Sequence, residues 1–141
     1  MADRISPAQR SANMSRIKGR DTRPELHVRH LLHALGYRYV LHMAGLPGTP
    51  DIIFSKRRKV IFVHGCFWHQ HDGCRNARIP KSNTIFWEAK LSRNVERDQQ
   101  NLEKLSELGW GVLIIWECEI DKHAHTRDKI TRFLGPPRLG S

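Results

Sequence analysis

The sequence predicts a single α/β domain in which a mixed β-sheet carries helices on its faces. Apolar residues follow helical, alternating and continuous patterns in an order that indicates α-β-β-β-α-β-α. The 141 residues are enough to bury one core but too few for two ordinary domains. The hydrophobic and charged fractions, 39% and 27%, are those of an ordinary globular protein.

The first helix is predicted at about residues 23–35. Residues 22–25 have the spacing of a capping box, with proline early in the first turn. Apolar residues then recur at i, i+3, i+4 and i+7 from Val28, and Gly36 ends the pattern. Capping alone accounts for Glu25, although this residue could also support a catalytic site.

Two short runs rich in β-branched and aromatic residues, 51–54 and 59–63, are joined by four residues and predict a hairpin. Alternating residues over 37–41 predict a half-buried strand before it. Asp51 opens the first hairpin strand and Val63 closes the second. Antiparallel pairing therefore brings both residues to the same end of the sheet.

A long helix is predicted from about 84 or 92 to 108, with an apolar face that includes Val95. Asp98 falls on this face, and a carboxylate turned towards a core needs a partner because its unpaired burial is costly. We interpret Asp98 as an active-site residue; the alternatives are an exposed edge of the apolar stripe or a pair with a neighbouring arginine. A strand over 110–116, of the kind buried on both faces, and a helix at about 121–134 complete the fold.

The charge of the chain favours a polyanionic partner. Lys and Arg number 24 against 14 Asp and Glu, which gives a formal net charge of +10. Nucleic acid is the leading candidate because phosphate neutralisation with counterion release rewards dispersed basic residues. We interpret the basic residues 1–20 as an arm that orders on DNA, with a solvated tail as the alternative. Residues 21–135 then form the domain, and 136–141 a loose tail.

No apolar stretch approaches the ~20 residues that span a bilayer, and the N-terminus lacks the apolar core of a signal peptide. We therefore expect a soluble cytoplasmic protein. The three cysteines are an odd number, which argues against a disulfide framework and favours metal ligation or buried thiols.

Cys66, His71 and Cys74 follow the hairpin, and Cys118 ends the late apolar strand. Three cysteines and one histidine are a ligand set that tetrahedral zinc accepts. A structural zinc ion without an open position would attach the loop to the sheet. The alternative is three unconnected buried thiols, and spacing alone also allows His69 in place of His71.

Asp51 is a candidate ligand for Mg2+, which keeps much of its hydration and accepts one carboxylate, a backbone carbonyl and water. His64 or His69, just past the adjacent strand end, has the pKa range of a base that activates water against a phosphodiester. The alternative for Asp51 is a turn residue after Pro50. Two histidines at the same sheet edge favour the catalytic interpretation.

Two aromatic pairs, Phe67-Trp68 and Phe86-Trp87, lie beside basic sequence. Aromatic side chains stack on bases or wedge between them. Core packing is the usual fate of such residues, but the ligands and histidines around Phe67-Trp68 hold that pair at a site.

A series of motifs runs from about residue 10 to 120 and comprises Arg10-Ser11-x-Asn13-Met14, Asp21-Thr22, Leu46-Pro47-Gly48-x-Pro50-Asp51, Val60-Ile61-Phe62-x-His64-Gly65-Cys66-Phe67-Trp68-His69-x-His71, Phe86-Trp87, Asn94-Val95-Glu96-Arg97-Asp98 and Trp116-Glu117-Cys118. Together these motifs resemble those of the very short patch repair, or Vsr, endonucleases. The resemblance implies a restriction-endonuclease-like (PD-(D/E)xK) fold. It also implies an enzyme that uses Mg2+ to nick DNA 5′ of the thymine in T:G mismatches, which arise when 5-methylcytosine is deaminated.

The resemblance further implies roles for individual residues. For catalysis these are Asp51 and the Val63 backbone carbonyl as Mg2+ ligands, and His69 as general base supported by His64 and Asp98. The implied zinc ligands are Cys66, His71, Cys74 and Cys118. The implied intercalating aromatics are Phe67, Trp68 and Trp87, with the arm that carries Met14 approaching from the opposite groove.

The sequence departs from the general superfamily pattern, because Val63 and Gly65 stand where the second carboxylate and the lysine would be. In the family a main-chain oxygen and histidines take over those roles. Two features differ from some relatives, because Gln70 replaces a histidine and one additional residue lies between His71 and Cys74. Both features lie near the DNA and therefore bear on the sequence context that the enzyme prefers.

We expect a monomer that binds double-stranded DNA, associates with the nucleoid when bound, and has other repair proteins as further partners. The alternatives are a nuclease of the same fold with another specificity and a zinc-containing DNA-binding module without catalysis. Asp51 with two histidines at one sheet edge argues against the binding module, because binding alone does not need them.

Overall fold

A computed structural model describes residues 22–137 as one mixed β-sheet with helices on both faces. The elements are α1 (Arg23–Leu35), β1 (Val40–Leu41), β2 (Ile52–Phe54), β3 (Lys59–His64), α2 (Thr84–Glu107), β4 (Gly111–Trp116) and α3 (His123–Leu134), with short 3-10 turns at Arg75–Ala77 and Glu117–Glu119. This order confirms the predicted α/β succession. The predicted arm with Met14 and the last four residues lie outside the described part of the chain.

The strand order is β1-β2-β3-β4, with antiparallel pairing up to β3 and parallel pairing between β3 and β4. Parallel neighbours need a long crossover, which α2 provides. Their carboxyl ends therefore meet at one edge of the sheet, where His64 lies opposite Trp116. The cysteine-containing loop after β3 and Cys118 after β4 start from this edge.

Two hydrophobic clusters cover the two faces of the sheet. Side chains alternate along β3, so Ile61 belongs to one cluster and Val60 and Phe62 belong to the other. The Ile61 cluster also takes residues from α1 and α3, whereas the other takes Leu105 from α2. The sheet thus separates α2 from the other two helices.

Helix α1 begins and ends where the sequence predicts. The Thr22 side chain accepts a hydrogen bond from the Glu25 backbone N–H at 3.3 Å. Gly36 has a φ of 92°, and its N–H donates to carbonyls of the last turn. Helix α2 takes the longer of the two predicted extents and starts after Asn83, whose φ is 56°. No helix within residues 22–137 is long and apolar enough to cross a membrane.

Three predictions about packing are wrong in detail. Strand β1 is only two residues long, because Tyr37 is buried in the core and its hydroxyl donates to the Gly135 carbonyl instead of starting a strand. Val95 is 43% exposed, since the packed face of α2 is narrower than its apolar stripe. The strand over 110–116 was predicted to be buried on both faces, but in the described sheet β4 lies at the edge and only its Ile115 is fully buried.

Candidate functional site

Asp51 and the end of β3 form the base of the site. The hairpin register, with Ile52 opposite Ile61, brings Asp51 beside the last residues of β3. Asp51 Oδ2 accepts a hydrogen bond from the Val63 backbone N–H at 2.7 Å. The prediction that Asp51 and Val63 meet at one end of the sheet is therefore confirmed.

The environment of Asp51 disfavours a bare negative charge. Burial, which is the largest effect, raises the pKa of Asp51 to about 7, and the neighbouring Glu25 carboxylate adds to the increase. The hydrogen bond from Val63 acts in the opposite direction. A cation at this carboxylate would favour the charged form, because opposite charge offsets the cost of burial.

Glu25 is a buried member of the same site. Its side chain is 2% exposed, and its Oε2 lies 3.0 Å from His42 Nε2 and 3.4 Å from Arg29 Nη1. The backbone N–H of Glu25 takes part in the cap of α1, whereas the carboxylate contacts Arg29 of the same helix and His42 of the loop after β1. Capping therefore explains the position of the residue but not the contacts of its side chain.

His64, His69 and Asp98 form a second group, which lines the same cavity as Asp51. Nδ1 of His69 is 2.6 Å from Asp98 Oδ2, and the His64 and His69 rings are stacked with centroids 3.7 Å apart. Burial, followed by the nearby His69, lowers the pKa of His64 to about 3, so that this imidazole is neutral near pH 7. Asp98 thus has the partner that its place on α2 required.

Asp51 and His42 line a cavity of about 230 Å3 together with His64, His69 and Asp98. Other lining residues come from the loop before β2 and from α2, including Gly48, Thr49, Asn101 and Leu102. The cavity therefore places carboxylates and imidazoles on walls that belong to different elements. This arrangement can hold a divalent cation and accept a proton from a water molecule beside it.

The four predicted zinc ligands form a separate group that does not line this cavity. The ligand atoms of Cys66, His71, Cys74 and Cys118 all lie within 4.8 Å of one another. His71 Nδ1 is 3.7 Å from Cys66 Sγ and 3.4 Å from Cys118 Sγ. A tetrahedral ion with bonds of about 2.0–2.3 Å places its ligand atoms about 3.3–3.8 Å apart. These residues therefore fit zinc.

The surroundings of the four ligands hold them in position. The Glu117 Oε1 accepts a hydrogen bond from the Cys66 backbone N–H at 3.1 Å, and the His71 ring stacks on Trp116 at 4.2 Å. Burial raises the pKa of the Cys66 thiol to about 12. A cation among the sulfur atoms would reverse this effect, because zinc binds the thiolate form.

His69 and His71 belong to different groups, although only one residue separates them. That residue, Gln70, has a φ of 48°, and its side-chain amide donates to the carbonyls of Phe67 and Ala77. His69 contacts Asp98, whereas His71 lies among the cysteines. Spacing in the sequence left these two alternatives open.

Aromatic residues from the loop after β3 and from the first turn of α2 contact one another. Phe67 lies 5.1 Å from Trp68 and 5.4 Å from Trp87 between ring centroids, and Phe86 lies 5.2 Å from Trp87. We call Phe67, Trp68, Phe86 and Trp87 the aromatic cluster. Phe86 is 57% exposed and the other three are half-buried, so the cluster keeps surface on which bases can stack.

Sequence reasoning missed His42, Glu117 and Asn101. His42 contacts Glu25 across 17 residues of sequence, and no periodic pattern marks it. Asn101 follows Asp98 by one helical turn, so the i+3 spacing was a usable signal. Glu117 lies next to Cys118, but only the fold reveals its bond to the backbone of Cys66.

Comparison with known proteins gives consistent matches. A family model described as "DNA mismatch endonuclease Vsr" matches residues 2–75. The "Type II nicking enzyme V.XorIIP" of Xanthomonas oryzae is 46% identical over 136 residues, which is 96% of this chain and 99% of the relative.

Two further relatives extend this result. The "DNA mismatch endonuclease Vsr" of Escherichia coli is 44% identical over 93% of this chain and 81% of its own length. The "Type II nicking enzyme V.NmeAIP" of Neisseria meningitidis is 40% identical over 95% of both chains. With these identities over nearly the whole chain, the protein belongs to the Vsr family of DNA mismatch endonucleases.

Proposed function

We propose that this endonuclease nicks one DNA strand 5′ of the thymine in T:G mismatches produced by 5-methylcytosine deamination, and thereby initiates very short patch repair. As a Vsr-family enzyme the protein is a DNA-nicking hydrolase. The observation that carries the specific proposal is that the Asp51 cavity and the aromatic cluster adjoin through the loop after β3. One loop thus provides both hydrolytic groups and a surface for bases.

In this proposal Asp51 and the Val63 backbone carbonyl hold Mg2+. The buried carboxylate beside a strand end is the kind of site that a hard cation with retained waters accepts. When bound, Mg2+ stabilises the charge that develops on the phosphate and the leaving oxygen. Glu25, the buried carboxylate next to Asp51, supports this metal site.

His69 acts as the general base. The 2.6 Å contact between Asp98 Oδ2 and His69 Nδ1 favours the tautomer that carries its proton on Nδ1. The lone pair on Nε2 then remains for the attacking water. His64, neutral and stacked on His69, fixes the plane of the ring and keeps a second positive charge away from the base.

Phe67, Trp68 and Trp87 insert beside the mismatch, while the arm that carries Met14 approaches from the opposite groove. Separating stacked bases costs a few kcal/mol, and the cost is least at a mismatched pair. Aromatic surface on the loop that also carries His69 therefore favours mismatched over matched duplex. The net charge of +10 supplies affinity that does not depend on sequence.

Cys66, His71, Cys74 and Cys118 hold a structural zinc ion that leaves no position for water. We further propose a division into a DNA-binding arm at residues 1–20, a catalytic domain at 21–135 and a loose tail at 136–141. The enzyme works as a monomer on nucleoid DNA in the cytoplasm, with other repair proteins as partners.

The deciding experiment is a nicking assay with Mg2+ on duplexes that contain T:G, other mismatches or none. We expect rapid nicking 5′ of the thymine in the T:G duplex alone. Equal cleavage of matched duplex would overturn the repair proposal, and equal cleavage of all mismatches would restrict it to a mismatch nuclease of wider specificity. Binding without cleavage of any duplex would favour the DNA-binding module.

The metal position is tested with Asp51→Asn, which removes the charge but keeps the shape of the side chain. We expect this variant to bind DNA and to lose nicking. The matched control is Asp128→Asn on α3, where the carboxylate is exposed and pairs with Arg132. A wild-type rate in Asp51→Asn would show that the metal is held elsewhere.

A further inference from the structure

We propose that the basic arm at residues 1–20 has a docking surface on the domain, which it occupies when no DNA is bound. The surface is a groove between α2 and the loop after β3. Its lining includes Ile79 of that loop and three glutamates of α2, Glu88, Glu96 and Glu103. We call it the acidic groove. The inference rests on the proposed function in one respect, since the arm would have to leave the groove to bind DNA.

Apolar side chains of the acidic groove remain open to solvent. Val95 lines the groove and is 43% exposed, although it belongs to the apolar stripe of α2. Ile79 is half-buried, and the buried Leu91 also lines the groove. Because the removal of apolar surface from water is favourable, the protein gains stability when apolar side chains of another segment cover Val95 and Ile79.

The charge of the groove is opposite to that of the whole chain. Glu88, Glu96 and Glu103 are exposed, and within residues 22–137 none of them forms an ion pair. The exposed basic residues of the same helix do not line the groove; they include Arg93, Arg97 and Lys104. This surface therefore repels DNA phosphates and attracts a cationic segment that carries apolar side chains.

The arm has the composition that such a groove requires. Met14 and Ile17 are its sizeable apolar residues after Ile5. They lie among basic residues at positions Arg10, Arg16, Lys18 and Arg20. Apolar contact with Val95 and ion pairs with the three glutamates can thus form together.

The arm is also attached close enough to reach the groove. It joins the domain before α1, whose first residue, Arg23, lines a cavity together with Asn76. Ile79 in the acidic groove lies three residues after Asn76, at most about 11 Å away, whereas the eight peptide units between Met14 and Thr22 span up to about 29 Å. A second chain is therefore not needed to provide the occupant.

Docking of the arm and binding of DNA exclude each other, because the same basic side chains would contact glutamates in one case and phosphates in the other. Docking lowers the apparent DNA affinity in proportion to the fraction of chains whose arm is free. Once DNA has displaced the arm, the catalytic groups are unchanged. The nicking rate of bound duplex therefore does not depend on the acidic groove.

The test uses the full-length protein with a photo-crosslinking phenylalanine analogue in place of Met14, and mass spectrometry locates the residues to which it cross-links. Without DNA we expect cross-links to groove residues between positions 70 and 103. Addition of T:G duplex should suppress them. The cross-linked fraction should also fall between about 0.05 M and about 0.5 M salt, because exposed ion pairs are screened.

Glu103→Lys reverses one charge of the groove and should lower the cross-linked fraction about threefold or more. The matched control is Glu107→Lys, one helical turn further along α2, which makes the same change in net charge at an exposed position outside the groove. It should leave the fraction unchanged. Val95→Gln removes apolar surface without a change in charge and should also lower the fraction, so it decides the question if Glu103→Lys does not fold.

Absence of cross-links to the groove in the DNA-free protein, or equal cross-linking in the Glu103 and Glu107 variants, would overturn the inference. A mixture of isotopically labelled and unlabelled chains shows whether the cross-links lie within one chain. Cross-links between chains would overturn docking within one chain and identify a second copy as the occupant.

The Mg2+-dependent nicking assay on T:G duplex separates this inference from the proposed function. Specific nicking without cross-links to the groove would overturn only the docking surface. Cross-links that duplex suppresses, in a protein that does not discriminate T:G duplex, would support the docking surface and overturn the specific repair function. Cross-links that persist on DNA would overturn the competition, together with the proposed binding of DNA by the arm.

Discussion

At the scale of single residues, the contact between His69 Nδ1 and Asp98 leaves Nε2 as the nitrogen that the proposed mechanism uses as general base. Asp98→Asn keeps the size of the side chain but can donate to Nδ1, which stabilises the wrong tautomer. We expect the single-turnover nicking rate to fall about 10²–10⁴-fold. DNA affinity and zinc content should stay at wild-type values.

The control for this change is Glu96→Gln, which removes an exposed carboxylate from the same helix. It should nick DNA at the wild-type rate. If Asp98→Asn were also as active as wild type, the orientation of His69 would not depend on this contact, and the assignment of His69 as the base would lose its main support.

The residues also differ in how well the sequence identifies them. Asp98 was predictable, because a carboxylate on the apolar face of a helix demands a partner. The identity of that partner was not, since His69 approaches from a loop 29 residues away. No pattern in the sequence identified His42 as a residue of the site. Its place depends on the loop between β1 and β2, and no hydrophobic pattern marks the left-handed backbone conformation that His42 adopts there.

At the scale of elements, the loop before β2 is held by close packing at Gly48. This residue has a φ of 77°, and a Cβ atom there would lie 3.1 Å from Asn101 Cβ and 3.2 Å from Phe62 Cζ. Gly48→Ala should cost about 2–4 kcal/mol of unfolding free energy, from positive φ and crowding together. It should also slow nicking, because the same loop leads into Asp51.

Gly45→Ala separates the cost of positive φ from the cost of crowding. Gly45 has a φ of 94°, but a Cβ atom there would have nothing within 4 Å. We expect only the backbone cost of about 1–2 kcal/mol and little change in activity. Thermal and denaturant unfolding of both variants give the comparison, and equal destabilisation would contradict the role assigned to packing against Asn101.

Local sequence signals were sufficient for most elements and failed where tertiary packing decides. The sequence of α1 contains a capping threonine, an apolar stripe and a terminal glycine, so the predicted bounds of this helix were correct. Strand β1 was predicted too long, because burial of Tyr37 competes with strand formation. The apolar run of β4 suggested a central strand, yet apolar composition does not tell a central strand from the sheet edge that β4 occupies.

At the scale of the whole molecule, the parallel pairing of β3 and β4 explains why different functions share one edge. Both strands end there, so the loop after β3 lies beside Cys118 after β4. The hairpin adds Asp51, and the crossover helix α2 adds Asp98 and Trp87. The predicted zinc ligands, the cavity and the aromatic cluster therefore depend on the same strand ends. A change that releases the loop should disturb all three.

Cys118→Ser tests this dependence, because Cys118 is the ligand that would join the loop to the sheet in the proposed zinc site. Loss of one of four ligands should release zinc and cost on the order of 5 kcal/mol, which is comparable to the whole stability of a small domain. We expect zinc content to fall from one ion per chain to none, with loss of cooperative unfolding and of nicking. Added Mg2+ should restore neither.

Glu119→Gln is the matched control in the same turn. Glu119 accepts a hydrogen bond from the Trp116 backbone N–H at 2.8 Å and pairs with Lys129, but it is not one of the predicted zinc ligands. This variant should lose some stability and keep its zinc, since only the packing of the turn against α3 is weakened. If Cys118→Ser contained no zinc but kept full stability, the metal would not hold the loop to the sheet, and aromatic packing against α2 would have to position the loop instead.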